Sequence, residues 1–92
     1  MNADVARARV VVRGRVQGVF FRDETRRRAR SLGVAGWVTN RPDGAVEAVF
    51  EGRRDAVDSM VRWCHSGPSG AHVDDVQVAW EDPRGEDGFA VR

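Results

Sequence analysis

The spacing of the apolar residues changes from that of a strand to that of a helix near the start of the chain, which limits the possible folds. From Val5 to Arg13, apolar and arginine side chains alternate, which predicts a strand with one buried and one solvated face. From Phe21 to Leu32, the apolar residues recur at spacings of three and four, which predicts an amphipathic helix ending at Gly33. The predicted solvent face of the strand holds the arginines Arg7, Arg9 and Arg13.

The same alternation of strand and helix patterns continues to the end of the chain. Two segments rich in strand-forming residues, Val34–Asn40 and Ala45–Gly52, flank the turn sequence "RPDG" and predict a hairpin. A second helical pattern covers Arg54–His65, a strand pattern covers His72–Trp80, and "FAVR" can supply a short terminal strand. The order β-α-β-β-α-β predicts an α+β, ferredoxin-like split βαβ fold, with an antiparallel sheet and both helices on one face.

Length and composition exclude several classes of protein. Residues 1–92 are expected to form a single domain with one core. Arginine and lysine number 15 against 14 acidic residues, so the net charge of +1 provides no overall field to attract nucleic acid or a membrane. Cys64 is the only cysteine, which excludes an internal disulfide. No segment resembles a leader or a membrane span, and we expect a cytoplasmic monomer without a membrane or nucleic-acid partner.

The loop sequence "GRVQGVFFR", from Gly14 to Arg22, contains more than a turn requires. Gly14 and Gly18 can adopt positive φ angles, which lets successive backbone N–H groups point to one place. The helix that follows adds its unpaired first-turn N–H groups, and the guanidinium of Arg22 can reach the same anion. The segment therefore predicts a cradle for a phosphate or a carboxylate.

Three other kinds of anion or phosphate site do not match the sequence. A Walker A loop would need Lys and Ser or Thr after its last glycine, and Gly18 is followed by Val19. A cysteine-dependent phosphatase of the C-x5-R type would need an arginine at position 70, which is Gly70. A dinucleotide fingerprint requires another glycine spacing.

Two segments resemble the signature motifs of one family. "GRVQGVFFR" resembles the first signature of the acylphosphatases. "GWVTNRPDGAVEAVFEG", from Gly36 to Gly52, resembles the second. Both occur in the family's order and separation, on a chain with the family's order of helices and strands.

The resemblance implies an activity and a set of site residues. An acylphosphatase hydrolyses the carboxyl–phosphate bond of acyl phosphates by in-line attack of water, without a metal, a cofactor or a covalent intermediate. Arg22 would neutralise the phosphoryl group and Asn40 would position the water. Inorganic phosphate would be both a product and a competitive ligand. The phosphoryl group would be held by the backbone amides of Arg15, Val16, Gln17, Gly18, Val19, Phe20 and Phe21.

Two alternatives remain open on the sequence alone. The first is a non-catalytic ferredoxin-like module that binds RNA or a small regulatory anion. An RNA-binding sheet needs exposed aromatic and basic residues, whereas the second hairpin strand offers Glu47 and Glu51. The second is a domain fused to a larger carbamoyl-transfer enzyme, which is disfavoured because the chain starts and ends at the expected edges of the domain.

The other aromatic residues and the cysteine are expected to serve packing. Phe20 and Phe21 are expected in the core or as anchors of the loop, and Cys64 as a small buried residue. The tryptophans expected in the core are Trp37, Trp63 and Trp80.

Overall fold

The computed structural model describes residues 4–92 and contains the strands and helices in the predicted order. These elements are β1 (Val5–Arg15), α1 (Phe21–Ser31), β2 (Ala35–Asn40), β3 (Val46–Arg53), α2 (Arg54–Cys64), β4 (His72–Glu81) and β5 (Phe89–Val91). The predicted succession is confirmed, and the helix and strand boundaries lie within about two residues of the predicted ones, as expected for element ends.

The strands form one sheet in the order β4-β1-β3-β2-β5. β1 is antiparallel to both β3 and β4, and β2 is antiparallel to β3. The expectation of an antiparallel sheet fails only at β5, which pairs in parallel with β2. β5 begins at the end of the sheet where β4 finishes, so it must run opposite to β4 and therefore in the same direction as β2.

The core lies between the helices and one face of the sheet. Alternate residues of β1 and β3, such as Val10 and Phe50, are fully buried on this face. Residues from both helices join the same apolar cluster, among them Ala29 of α1 and Met60 of α2. Both helices therefore cover the same face, as predicted.

On the opposite face of the sheet, Arg7 is buried, so the prediction that its side chain is solvated is wrong. Its side chain is only 2% exposed. Its Nη1 lies 3.1 Å from Glu51 and 2.9 Å from Glu86, and its Nε lies 2.9 Å from Glu81. The physical reason is the register, because Glu51 on β3 and Glu81 on β4 both stand directly opposite Arg7.

Glu51 also binds the loop that connects β4 to β5. Its carboxylate accepts hydrogen bonds from the backbone N–H groups of Arg84, Gly85 and Glu86, at 2.9, 2.7 and 3.0 Å. Burial alone would raise the pKa of this carboxyl, but the loop amides and Arg7 together hold the pKa below its usual value of 4.5. Glu51 thus fixes the path of the chain toward β5.

Two other residues expected on buried faces are exposed. Trp80 is 45% exposed, because the helices lie mainly over the other strands and leave β4 at an uncovered edge. The guanidinium of Arg54 lies 4.0 Å from the centre of its ring. Leu32 is also 45% exposed, because α1 has already ended there. Cys64 is buried in the core as expected, whereas Trp37 is buried on the opposite face of the sheet, where the guanidiniums of Arg9 and Arg92 lie 5.6 and 4.5 Å from the centre of its ring.

Arg7→Ala is expected to destabilise the protein strongly, because the substitution leaves the buried Glu51 without its guanidinium partner. Breaking a buried pair from one side costs about 3–5 kcal/mol in the free energy of unfolding. Urea unfolding followed by circular dichroism measures the loss. Arg13→Ala, which breaks an exposed pair with Asp43 at 3.1 Å, is the matched control and should change little. Equal losses in the two variants would contradict the assignment.

The free energy of unfolding should fall in acid because of Glu51. Its pKa is lower in the folded protein than the value of 4.5 expected for the unfolded chain, so the unfolded state takes up the proton first. The contribution of Glu51 is complete above about pH 5 and is lost as the pH falls through the folded pKa. In Glu51→Gln the unfolding free energy should depend less on pH below 4.5. An unchanged acid slope would show that other carboxyls control acid unfolding.

Candidate active site

The loop between β1 and α1 is shaped by residues with positive φ. The register of β1 against β4 shifts at Gly14, where φ is 131° and a Cβ would collide with the carbonyl oxygen of His72. Gly18 follows with a φ of 76°, and Phe20 with a φ of 65°. The first position needs glycine because β4 passes too close for a side chain, and the second because of its left-handed backbone. The sequence prediction for both glycines agrees with these angles.

Backbone N–H groups are available along this loop and at the start of α1. Within residues 4–92, none of the N–H groups from Gln17 to Asp23 donates a hydrogen bond to another protein group. No side chain caps the N-terminus of α1, whose cap residue is Phe20. Free donors and the positive end of the helix dipole therefore occur together, which suits an anion.

The side chain of Gln17 anchors the loop. Its Nε2 donates to the carbonyl oxygens of Arg41 at 2.8 Å and Ala45 at 2.9 Å, which lie on either side of the turn between β2 and β3. The resemblance implies only a backbone amide for Gln17, and the role of its side chain was not predicted. The available signal was a single polar side chain between Val16 and Gly18, in an otherwise apolar loop.

A cavity of about 330 Å³ lies over the start of α1. Its lining residues are Val16, Gly18, Phe20, Phe21, Arg22, Asp23, Asn40 and Val91. It brings together the two residues singled out from the sequence, Arg22 at the start of α1 and Asn40 at the end of β2. Of the predicted loop residues, Arg15, Gln17 and Val19 do not line it.

Two residues of the cavity wall were not predicted. Asp23 follows Arg22 in the first turn of α1, and its carboxylate lies 3.5 Å from Arg26. Its position next to the predicted arginine was a signal that could have found it. Val91 belongs to β5, and nothing local in the sequence shows that this strand joins β2 beside the site.

The guanidinium of Arg22 is exposed and free to bind an anion. Among residues 4–92 no Asp or Glu side chain lies within ion-pair distance of it. Its Nη1 is 3.4 Å from the main-chain oxygen of Arg92, which is its one hydrogen-bond acceptor in the described chain. Because no acidic side chain is paired with Arg22, its charge is available to a ligand in the cavity.

The amide of Asn40 has an unusual environment. Its Oδ1 is buried and has no hydrogen-bond partner among the described residues. Leaving a buried acceptor unsatisfied costs about 1–3 kcal/mol, so such atoms are rare in folded proteins and call for an explanation. Because the residue lines the cavity, its amide lies close to any molecule bound there.

The two phenylalanines of the loop have different environments. Phe21 is 2% exposed and packs on Trp63, with ring centres 5.2 Å apart. Phe20 is 77% exposed, so of the two places expected for it, in the core or as an anchor of the loop, the core is wrong. Phe20 is the cap residue with a positive φ, whereas Phe21 is the first residue of α1 and is buried.

Other candidate groups in the described chain do not form a second centre. Burial raises the pKa of the Cys64 thiol to about 12, which keeps it neutral and a poor nucleophile. Within residues 4–92, no three His, Cys, Asp or Glu side chains are grouped as a metal site would need. In the same residues, no helix has the length and apolar character to cross a membrane.

A family model described as acylphosphatase matches residues 8–91. This chain belongs to the acylphosphatase family. An acylphosphatase of Roseiflexus sp. is 60% identical over 89 residues, which cover 96% of each chain. The solved acylphosphatase of Coxiella burnetii is 37% identical, has a TM-score of 0.92, and the match covers 97% of this chain and 94% of that one. That of Bacillus subtilis is 36% identical, with a TM-score of 0.90 over 95% and 98% of the two chains.

These similarities confirm the acylphosphatase resemblance drawn from the two motifs. The ferredoxin-like α+β fold is likewise confirmed, because both solved acylphosphatases superpose over nearly the whole chain. A binding module without catalysis is not favoured, since the curated relatives carry the name of the enzyme.

Gln17→Ala tests whether the loop needs its anchor. The variant loses two hydrogen bonds to backbone carbonyls, which should reduce the unfolding free energy by about 1–3 kcal/mol. The loosened loop should also lower kcat/KM for an acyl phosphate by about tenfold, because positioning of the donors is disturbed. Steady-state kinetics and thermal unfolding measure the two effects. Full activity in a folded variant would show that the loop is positioned without Gln17.

Proposed function

We propose that the cavity at the start of α1 is where this member of the acylphosphatase family hydrolyses acyl phosphates to a carboxylate and inorganic phosphate. The observation that carries the proposal is that Arg22 and Asn40, from separate elements and separate motifs, line the same cavity. One supplies charge and the other supplies a buried acceptor without a protein partner. A phosphoryl group and a water molecule need different partners, and the cavity offers both.

The phosphoryl group is assigned to the loop. Its three peripheral oxygens carry the charge in a loose transition state, so catalysis depends on positioned donors. The N–H groups from Gln17 to Phe21 have no other acceptor in the described chain, and the guanidinium of Arg22 can add two parallel hydrogen bonds. Preorganised donors of this kind are each worth about 3–4 kcal/mol in the transition state of acyl transfer.

The attacking water is assigned to Asn40. The Oδ1 atom can accept a hydrogen bond from water, and the Nδ2 group can donate to a phosphoryl oxygen, so one side chain can orient both reactants. An amide has no titratable proton, so Asn40 positions the water without removing a proton.

The bond changes need few catalytic groups. The water oxygen forms a bond to phosphorus, the bond from phosphorus to the acyl oxygen breaks, and its electron pair leaves with the carboxylate. A carboxylate is a weak base, so it can depart without a general acid. A phosphoryl oxygen takes the proton of the water. As proposed, the reaction uses no metal, cofactor or covalent intermediate.

We also propose that the protein works as a monomer in the cytoplasm, on small molecules rather than nucleic acid. The balanced charge supports the absence of a nucleic-acid partner, because a net charge of +1 gives little attraction to a polyanion. Glu47 and Glu51, on the face of β3 that the helices do not cover, are paired with Arg9 and Arg7, so these arginines are not free to bind a polyanion.

Substitutions at the two cavity residues should have different kinetic effects. Asn40→Ala should reduce kcat for benzoyl phosphate by about 100-fold or more, because water is no longer oriented, while inhibition by phosphate remains. Arg22→Ala should reduce kcat and also weaken phosphate inhibition, because the charge that binds the anion is lost. The experiment is steady-state hydrolysis by purified protein, with inorganic phosphate as the inhibitor.

Arg62→Ala is the matched control, because Arg62 is an exposed arginine on α2 that does not line the cavity. It should keep the kinetics of the parent. Full activity in Asn40→Ala would refute the assignment of the water. Loss of activity in Arg62→Ala equal to that in Arg22→Ala would show a general effect of charge.

Inorganic phosphate should inhibit competitively, and a chelator should leave kcat unchanged. Phosphate shares the oxygens that the loop is proposed to bind, so raising the substrate concentration should relieve the inhibition. Initial rates at millimolar phosphate, with and without EDTA, measure both effects. Rates that fall on chelation would show that the reaction depends on a metal.

A further inference from the structure

Phe20 is the most exposed of the large apolar side chains in the described chain. It is 77% exposed, against 45% for Leu32 and Trp80. It is also the one non-glycine residue with a positive φ in residues 4–92. A bulky residue rarely adopts this left-handed backbone, and strained residues of this kind cluster at functional sites.

The fold does not require an aromatic side chain at this position. The backbone of Phe20 starts α1, and its carbonyl oxygen accepts the N–H of Glu24 at 3.0 Å. A glycine could form the same contact without strain. The core position of the loop is already filled by Phe21. The ring of Phe20 therefore needs an explanation other than packing.

The position of Phe20 supplies that explanation. It lines the cavity that contains Arg22 and Asn40, and also a second cavity of about 620 Å³ next to it. Gly18 and Asp23 line both cavities as well. The second cavity extends from the loop before α1 to residues 67–70, which follow α2, and Val19 and Pro68 form its apolar walls. Phe20 thus stands where one cavity meets the other.

The charges of the second cavity are compensated by protein groups. Arg27 donates to Glu24 at 2.8 Å, and the guanidinium of Arg28 lies 5.0 Å from the centre of the Trp63 ring. Asp23 is paired with Arg26. Its acidic side chains, Asp23 and Glu24, balance its basic ones, Arg27 and Arg28, so the cavity gives no net attraction to a second anionic group on a ligand.

We propose that Phe20 is a specificity-determining residue that contacts the acyl group of the substrate and favours aromatic acyl phosphates over acetyl phosphate. The inference rests on the proposed function. If the loop holds the phosphoryl group, the acyl group extends out of the first cavity along its wall. Phe20 is the exposed apolar side chain in that wall. An aromatic acyl group can pack against the ring and reach the second cavity, whereas an acetyl group is too short to do so.

The test compares kcat/KM for benzoyl phosphate and acetyl phosphate in the parent, Phe20→Ala and Phe20→Leu. The ratio of the two values should fall about tenfold in Phe20→Ala and less in Phe20→Leu, which keeps apolar area. Any loss of kcat/KM for acetyl phosphate should be smaller than the loss for benzoyl phosphate, because the substitution removes the ring and keeps the backbone N–H of the loop. Leu32→Ala, at the other end of α1 and also exposed, should keep the ratio of the parent.

The outcomes separate this inference from the proposed function. If the parent hydrolyses both substrates and the ratio is the same in Phe20→Ala, the specificity role is wrong while the hydrolase stands. If both substrates lose activity equally in Phe20→Ala, Phe20 shapes the cradle and the inference is also wrong. If the folded parent hydrolyses neither substrate, the proposed function fails, and the inference with it.

Phe20→Gly provides a second readout. Glycine adopts a φ of 65° without strain, so the melting temperature should be no lower than that of the parent, while the preference for benzoyl phosphate falls. A clear decrease in melting temperature would show that the ring serves packing, and would count against the proposal.

Discussion

The Glu51 carboxylate organises the sheet edge on which the cavity depends. On one side it pairs with the buried Arg7 of β1, and on the other it accepts three N–H groups of the loop before β5. β5 pairs with β2 through only a few residues, from Gly36 opposite Phe89 to Val38 opposite Val91. So short a strand gains its position from the loop that leads into it. Val91, a wall of the cavity, is therefore positioned by charges on the opposite face of the sheet.

Local patterns predicted most of the fold because each helix and strand carries its own periodicity. The alternation in β1 and the three-and-four spacing in α1 are properties of neighbouring residues. Burial of Arg7 and exposure of Trp80 depend instead on which strands lie beside β1 and β4, and on where the helices lie. The parallel pairing of β5 has the same origin. These features depend on the register and topology of the sheet, which local sequence patterns do not determine.

Some residues of the candidate site could likewise be predicted from the sequence, and others could not. Arg22 and Asn40 could be named from their motifs, and the structure brings both to one cavity. The anchoring hydrogen bonds of Gln17 and the wall formed by Val91 depend on distant parts of the chain. The core was the wrong place for Phe20, because α1 begins one residue later and it is Phe21 that is buried. A residue next to a buried aromatic gives no sign in the sequence that it points outward.

The unpaired Oδ1 of Asn40 has a consequence for how such a protein changes under selection. A screen that rewards only expression or heat resistance gains by removing an unsatisfied buried acceptor, since natural sequences lie away from their stability optimum at functional sites. Variants enriched in that way would carry an apolar residue at position 40 and would be more stable but inactive. Retention of an amide there can be explained only by selection for turnover.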